Sequence, residues 1–322
     1  MSSPARLLLL SFLTACSSPA LSVDASVPGA DASQPAVDAS VPDSGIALAA
    51  DASVPGADAS QPAVDAGADQ PLTAVVGSRC EYYQRRAVLT VSDDGSANRY
   101  LSAFFQDVPD PWVGMPELTD SSCKFHLAWS GTCDGKPECD GARVCSHTGT
   151  CVAAPVPATS LSVTVRGTSG TQQFDSKPGD SFGGSITVAD PALALTIVAD
   201  GLRIEVPEMS APASLTNPQG TLTGSWDQPE AIDLSWTAPA SPAQVYSLTR
   251  INHHAATSTF TECVVAATAG KLHIDRAMLE PLAVITGLEF QSVQHVRFAA
   301  VETATGCVEV RFQRDQYFNL TN

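Results

Sequence analysis

From Leu161 onward, apolar side chains fall on alternate positions, with no helical period competing. Leu161, Val163 and Val165 alternate, as do Ile186 and Val188, then Leu202, Ile204 and Val206, then Ile232, Leu234 and Trp236. Successive side chains of a strand point to opposite faces, so this spacing describes strands with one buried face. Leu193 to Val198 is nearly all apolar, and Val245 to Ile251 reads as a further strand. Gly and Pro punctuate these runs at about the spacing of a sandwich. Upstream, Ala87, Leu89 and Val91 alternate, Asp93-Asp94-Gly95-Ser96 makes a turn, and Tyr100 to Phe105 is ambiguous between strand and short helix. Asp275 is placed to cap a short helical turn, Arg276 to Leu279, that Pro281 would stop. Leu288, Phe290, Val296, Phe298 and Val301 supply further core, and Trp236 reads as a core plug. The expected fold class is all-β: one or two antiparallel β-sandwich modules with a small disulfide-rich insert, preceded by a disordered linker.

The first 78 residues obey different rules. Met1 to Arg6 carries one basic side chain, and Leu7 to Leu13 is a short apolar core, the length of a signal peptide rather than of a spanning helix. Leu13-Thr14-Ala15-Cys16 matches the lipobox of bacterial lipoproteins at all four positions, and the N-terminus resembles that family. The resemblance implies cleavage before Cys16, a diacylglycerol on its thiol, an acylated amine, and stable anchoring. Ser17, where retention in the inner membrane usually shows Asp, points by the same resemblance to the outer membrane of a Gram-negative bacterium, with the surface and periplasmic faces both open.

From Ser17 to Ser78 there is no Lys, Arg, His, Cys or aromatic residue, and the eight charges are all Asp. The block DASVPGADASQPAVDA, Asp24 to Ala39, recurs letter for letter from Asp51 to Ala66. Its seven-residue period is no coiled coil, because Pro removes helix hydrogen bonds and the apolar positions are mostly Ala. Such a segment cannot bury enough surface to offset its ordering entropy, so 17–78 reads as an extended, self-repelling spacer. The expected organisation is then a signal peptide and lipobox at 1–16, the spacer at 17–78, a β-rich module at 79–155 with a cysteine-rich insert at 123–151, strands at 156–219 that join or complete the first sandwich, and an immunoglobulin- or fibronectin-III-like sandwich at 220–322.

With Cys16 set aside as the lipid site, eight of the nine cysteines remain, an even number that reads as four disulfides in an exported chain. Cys263 and Cys307 stand alone in the last third and form the natural pair. The other six cluster upstream. Cys133, Cys139, Cys145 and Cys151 have five residues between each and the next, wider than the two to four residues usual between paired zinc ligands, which argues against a metal. The stretch GTCDGKPECDGARVCSHTGTCV is similar to the short cysteine-rich inserts of Gram-negative lipoproteins with this kind of spacer. An interleaved pairing, Cys133–Cys145 and Cys139–Cys151, would leave Cys80–Cys123, although six cysteines permit 15 arrangements and the sequence does not choose.

Function is read mostly by exclusion. The formal charge is −17, and 26 acidic against 16 basic residues remain from Arg79 onward, which argues against nucleic acid as a partner. Gly179-Asp180-Ser181-Phe182-Gly183-Gly184 looks like the nucleophile loop of chymotrypsin-type proteases, but Phe182 breaks it where backbone N–H groups must form the oxyanion hole. His126 and His147 have no motif around them, and His253-His254 would point to opposite faces of a strand. Asp93 and Asp94 offer carboxylates for calcium, but Asp-Gly is foremost a turn signal. The run DLSWTAPASPAQVYSLTR resembles the start of fibronectin type III and related immunoglobulin-like domains, over about twenty residues and without the later signature. Taken whole, the chain resembles exported lipoproteins with a lipobox, an Asp-Ala-Pro spacer and sandwich modules, a family that brings no activity with it. The expectation is a lipid-anchored, non-catalytic binding or structural protein of the envelope, with a glycan or protein partner, no cofactor and no metal. The alternatives are a sandwich-fold hydrolase using acids such as Glu205, Glu208 and Asp227, and a periplasmic assembly factor.

Overall fold

The computed structural model describes residues 70–95, 98–127, 133–134, 139–176, 182–225, 228–251, 259–286, 288–318 and 320–321, with the backbone alone at 250–251, 283–286 and 288–292. Cys16, the repeats, Gly179 to Ser181, Asp227 and His253-His254 lie outside the described residues. Along the chain the strands begin with β1 (Leu72–Thr73), β2 (Val75–Val76), β3 (Arg85–Asp93), β4 (Arg99–Phe105), β5 (Leu118–Thr119) and β6 (Cys123–His126). The insert contributes β7 (Arg143–Cys145) and β8 (Cys151–Ala153). Then come β9 (Leu161–Arg166), β10 (Thr171–Asp175), β11 (Gly183–Ile186), β12 (Leu193–Ala199) and β13 (Leu202–Met209). The last third holds β14 (Thr216–Gly224), β15 (Pro229–Thr237), β16 (Gln244–Ile251), β17 (Phe260–Ala266) and β18 (Lys271–Asp275). Helix α1 (Arg276–Thr286) leads into β19 (Leu288–Thr303), β20 (Gly306–Gln316) and β21 (Leu320–Thr321). Among the described residues no helix is long and apolar enough to cross a membrane.

A ten-stranded central sheet runs in the order β11-β4-β3-β20-β19-β16-β17-β6-β5, with β2 alongside β19. Its inner face is covered by two smaller sheets. On one half Ala87, Leu89 and Val91 of β3, with Val308, Val310 and Phe312 of β20, pack on Val163, Val165, Leu195, Ile197 and Ile204 of the sheet β1-β13-β12-β9-β10. On the other half Phe125, Val245, Cys263 and Val293 pack on Ile232, Leu234, Leu272 and Ile274 of the sheet β18-β15-β14-β21. Each buried Val, Leu, Ile or Phe among these contributes roughly 1.5–3 kcal/mol. The chain is therefore all-β, two sandwiches that share one long sheet.

That sharing corrects the expected boundaries. β3 lies parallel to β20, register Val88↔Glu309, so the first and last described thirds of the chain are neighbours in one sheet, and no cut at 155 or 219 separates two modules. The spacer also ends earlier than 78: Leu72 pairs with Ile204, and Ala74 is 2% exposed in the first core. β6 belongs to the central sheet, so the insert begins after His126 rather than at 123. Tyr100 to Phe105 is strand. Asp275 does cap α1, its Oδ1 accepting the Met278 N–H at 3.1 Å, but Pro281 does not stop the helix. Burial of Met278, Leu279 and Leu282 outweighs the one backbone hydrogen bond that Pro removes.

The disulfides correct two expected pairs. Cys263–Cys307 does not form, because β19 and β16 separate their strands in the sheet, a gap of about 14 Å at the usual strand spacing against the 4.4–6.8 Å between Cα atoms that a disulfide spans. Instead Cys263 bonds Cys123, its direct cross-strand partner, and Cys307 bonds Cys80, so Cys80–Cys123 is excluded as well. Within the insert the bonds are Cys133–Cys145 and Cys139–Cys151. Three of these sulfurs lie within 4.8 Å of one another, but all are disulfide-bonded and so are not thiolate ligands.

Candidate functional site

The outer face of the central sheet carries a buried network of arginines and carboxylates. Alternation puts Glu309 and Arg311 of β20, Glu262 of β17 and Tyr246 of β16 on this face, between neighbours that fill the inner cores. Arg85 joins them through a bulge. Cys307 pairs with Arg85 but Val308 pairs with Ala87, so the register slips by one residue and Arg85 emerges on the face opposite Ala87.

Arg85 Nη2 donates to Glu262 Oε1 at 2.6 Å, and its Nε lies 3.3 Å from Glu309 Oε1 without hydrogen-bond alignment. Arg79 Nη1 reaches Glu262 Oε2 at 3.2 Å, Arg311 Nη2 reaches Glu309 Oε1 at 2.7 Å, and the Cys80 N–H donates to Glu309 Oε2 at 2.9 Å. Both carboxylates are at most 1% exposed. Burial alone would raise the Glu262 carboxyl, but Arg85 and then Arg79 override it and hold it down at about 2. Burial disfavours the charge on Arg85 and Arg311, yet their carboxylate partners outweigh it and raise both. Tyr246 is pushed up to about 12, first by burial and then by Glu262.

Rings interleave with these charges. The Arg85 guanidinium lies 4.8 Å from the Tyr82 ring centre, and Arg311 lies 4.6 Å from that of Tyr246 and 5.7 Å from that of Phe298. Tyr82, on a 3₁₀ turn (Tyr82–Gln84), packs 4.3 Å from Phe260, which stacks on His126 at 4.9 Å. The turn is pinned at Gly306, φ +138°, where a side chain would meet the Gln84 carbonyl and the Pro109 ring at 2.9 Å each. The loop through Pro111 to Gly114 is held by the insert: the His147 N–H donates to the Pro111 carbonyl at 2.7 Å, and the His147 ring fills the space beside Gly114.

Where this roof ends a small cavity opens, about 150 Å³, lined by Tyr82, Arg85, Val88, Phe104, Asp110, Tyr246, Leu248 and Arg311, with Ala87 at its base. Asp110 is oriented by the Gln106 amide at 2.8 Å. Phe104 is 50% exposed at the mouth, and Tyr100 is 51% exposed on the same face of β4.

The acids expected for a hydrolase are elsewhere. Glu205 is held by Arg166 at 3.1 Å, Arg203 at 2.6 Å and the Thr196 hydroxyl at 2.7 Å, Glu208 is exposed, and neither lines the cavity. Asp93 closes its own turn, accepting the Gly95 N–H at 2.7 Å and Arg314 at 2.8 Å. Trp236 is buried, its Nε1 donating to the Ala267 carbonyl at 2.7 Å.

His126 gives the site a pH dependence. Its pKa is lowered from 6.5 by burial, with Arg85 and Lys124 adding to this and Glu262 and the Gly114 carbonyl opposing. His295 is lowered too, by burial and by Arg297 and Arg314, against a bond to the Ala213 carbonyl. Below about pH 6.5 the unfolded chain therefore binds more protons than the folded one, so stability present above that pH falls as the solution is acidified. Glu262, at about 2 against an ordinary 4.5, adds a second loss between those values. Denaturant midpoints measured from pH 8 to 3 should be flat above pH 7 and fall in two stages below it. A flat profile between pH 7 and 5.5 would contradict the buried histidines.

No protein-family model and no curated protein matches the sequence. Among solved structures, the chicken CNTN1 FN1–FN3 domains are 7% identical, with 67% of this chain and 75% of that one covered and a TM-score of 0.18. A tetra-tandem repeat in the extending region of a large adhesion protein is 12% identical, with 72% of this chain and 49% of that one covered and a TM-score of 0.17. Scores this low carry no argument about the fold or the site.

Proposed function

We propose that this chain is a lipid-anchored, non-catalytic binding module of a Gram-negative outer membrane, held on a spacer by Cys16 and engaging its partner through the outer face of the central sheet. The observation that carries the reading is the outer-face cavity. Its arginines are locked to buried carboxylates, and Glu262 is held ionised far below neutral pH, so these groups are fixed charges suited to recognition rather than to proton transfer. Four disulfides fit an oxidising, exported location. A glycan or protein partner is the class this surface serves.

The test uses the full chain in a Gram-negative host, with radiolabelled palmitate, membrane fractionation and protease shaving of intact cells. Wild type should take up label and sediment with the outer membrane, and Cys16→Ser should lose both. Unlabelled wild type, or membrane association that survives Cys16→Ser, would overturn the anchor. Loss of the domain on shaving whole cells places the binding face outside; retention until the outer membrane is broken makes the partner periplasmic.

A further inference from the structure

We infer that the outer-face cavity is a subsite for one pyranose ring of a neutral oligosaccharide. This rests on the binding-module reading and names its ligand class.

Size limits the occupant first. About 150 Å³ is the volume of an apolar protein cavity that takes up benzene, one six-membered ring, and is below the roughly 300–1,000 Å³ of sites that enclose larger ligands. The wall chemistry then separates a sugar from other rings. An aromatic hydrocarbon would make no hydrogen bond to the Arg85 and Arg311 guanidiniums or the Asp110 carboxylate in the wall, whose remaining donor and acceptor positions would lose water without replacement. A pyranose answers both halves of the wall. Its apolar C–H face lies on aromatic or aliphatic surface, here Phe104, Val88 and Leu248. Its hydroxyls both donate and accept, matching Asp110 as acceptor and the guanidiniums as donors.

Charge favours a neutral sugar. Arg79, Arg85 and Arg311 are balanced by Glu262, Glu309 and Asp110, so no formal charge is left for an anionic or cationic ligand to neutralise. Arg85, which lines the cavity, is not fully bonded: its Nε lies 3.3 Å from Glu309 Oε1 without forming a hydrogen bond. Outside the mouth Tyr100 presents a second half-exposed ring, four residues from Phe104 on one strand face and so about 13 Å away. That surface suits the following units of a chain whose terminal ring is in the cavity.

The experiment is saturation-transfer NMR and calorimetry on the full-length chain in detergent. The probes are glucose, galactose, mannose, N-acetylglucosamine, glucuronate and inorganic phosphate, then oligosaccharides of whichever sugar binds. At least one neutral pyranose should bind, with its oligomer tighter by tenfold or more. Phe104→Ala and Asp110→Asn, the latter keeping an oxygen for the Gln106 amide, should each weaken binding at least tenfold in protein that still unfolds cooperatively. Val88→Trp, which fills the cavity without removing a polar group, should abolish it. The inference is overturned if only glucuronate or phosphate binds, if no pyranose binds, or if binding survives all three substitutions. An array of envelope polypeptides run in parallel separates the two claims. Polypeptide binding without sugar binding removes the sugar subsite and leaves the binding module, whereas binding of neither class removes both.

Discussion

Replacing Glu262 by glutamine is expected to lower the unfolding free energy by about 3–5 kcal/mol, because it leaves buried arginine charge uncompensated. Glu262 is 1% exposed and answers Arg85 at 2.6 Å and Arg79 at 3.2 Å, and Arg85 would be left with Glu309 alone. For a unit of this size that corresponds to a fall of about 6–20 °C in unfolding temperature. Glu205→Gln is the control. It too answers two arginines, but on a solvent-facing strand surface, where each ion pair is worth about 0–1 kcal/mol. If Glu262→Gln costs no more than Glu205→Gln, the buried network is not what holds the outer face. A double substitution, Arg85→Met with Glu262→Met, should cost less than the two single changes added together, with a coupling of about 1–3 kcal/mol. An apolar pair of similar volume avoids the desolvation cost of the two ions, which is why the double change is the milder one.

The second large effect is expected at Cys80–Cys307. This bond joins residues 227 positions apart, and Cys123–Cys263, spanning 140, is nested inside it. With the inner bond intact, opening the outer one frees an effective loop of roughly 90 residues, which the chain-entropy relation converts to about 4–5 kcal/mol. The insert bonds span only 12 residues each and correspond to about 3 kcal/mol by the same relation. Equilibrium unfolding of Cys80→Ala/Cys307→Ala and of Cys133→Ala/Cys145→Ala measures the difference. The first variant should lose more stability, and the loss should extend to the cavity, because Cys80 lies at the base of the turn that carries Tyr82. A first variant as stable as the second would mean that the parallel pairing of β3 and β20 holds the two ends of the described chain without the bond.

The contrast between these two networks separates what was legible in the sequence from what was not. The all-β class was legible because a two-residue apolar period is a local property: Ala87, Leu89 and Val91, or Ile232, Leu234 and Trp236, declare a buried face whatever they pack against. Asp275 as a cap was legible because it acts within three residues of itself, and Trp236 as a core plug because it extends the apolar alternation of its own strand. Pairing across the chain was not. Cys263 and Cys307 are the natural couple by position, but the sheet order interposes β19 and β16 between their strands and gives each a partner from the N-terminal part.

The candidate site was hidden by the same physics. Glu309 and Arg311 alternate with Val308, Val310 and Phe312, a pattern that reads as a strand with one face in water. The signal that could have marked them is opposite charges two residues apart on one strand face, but it does not say that a roof covers them. Arg85 carries no signal of its own, because a one-residue bulge decides which face it takes. By itself, the sequence determined the strands and their buried faces, both set by neighbours along the chain. Only the tertiary structure decided which strands meet, which cysteines bond and which charges are buried, because those depend on contacts between residues as far apart as Arg85 and Glu309.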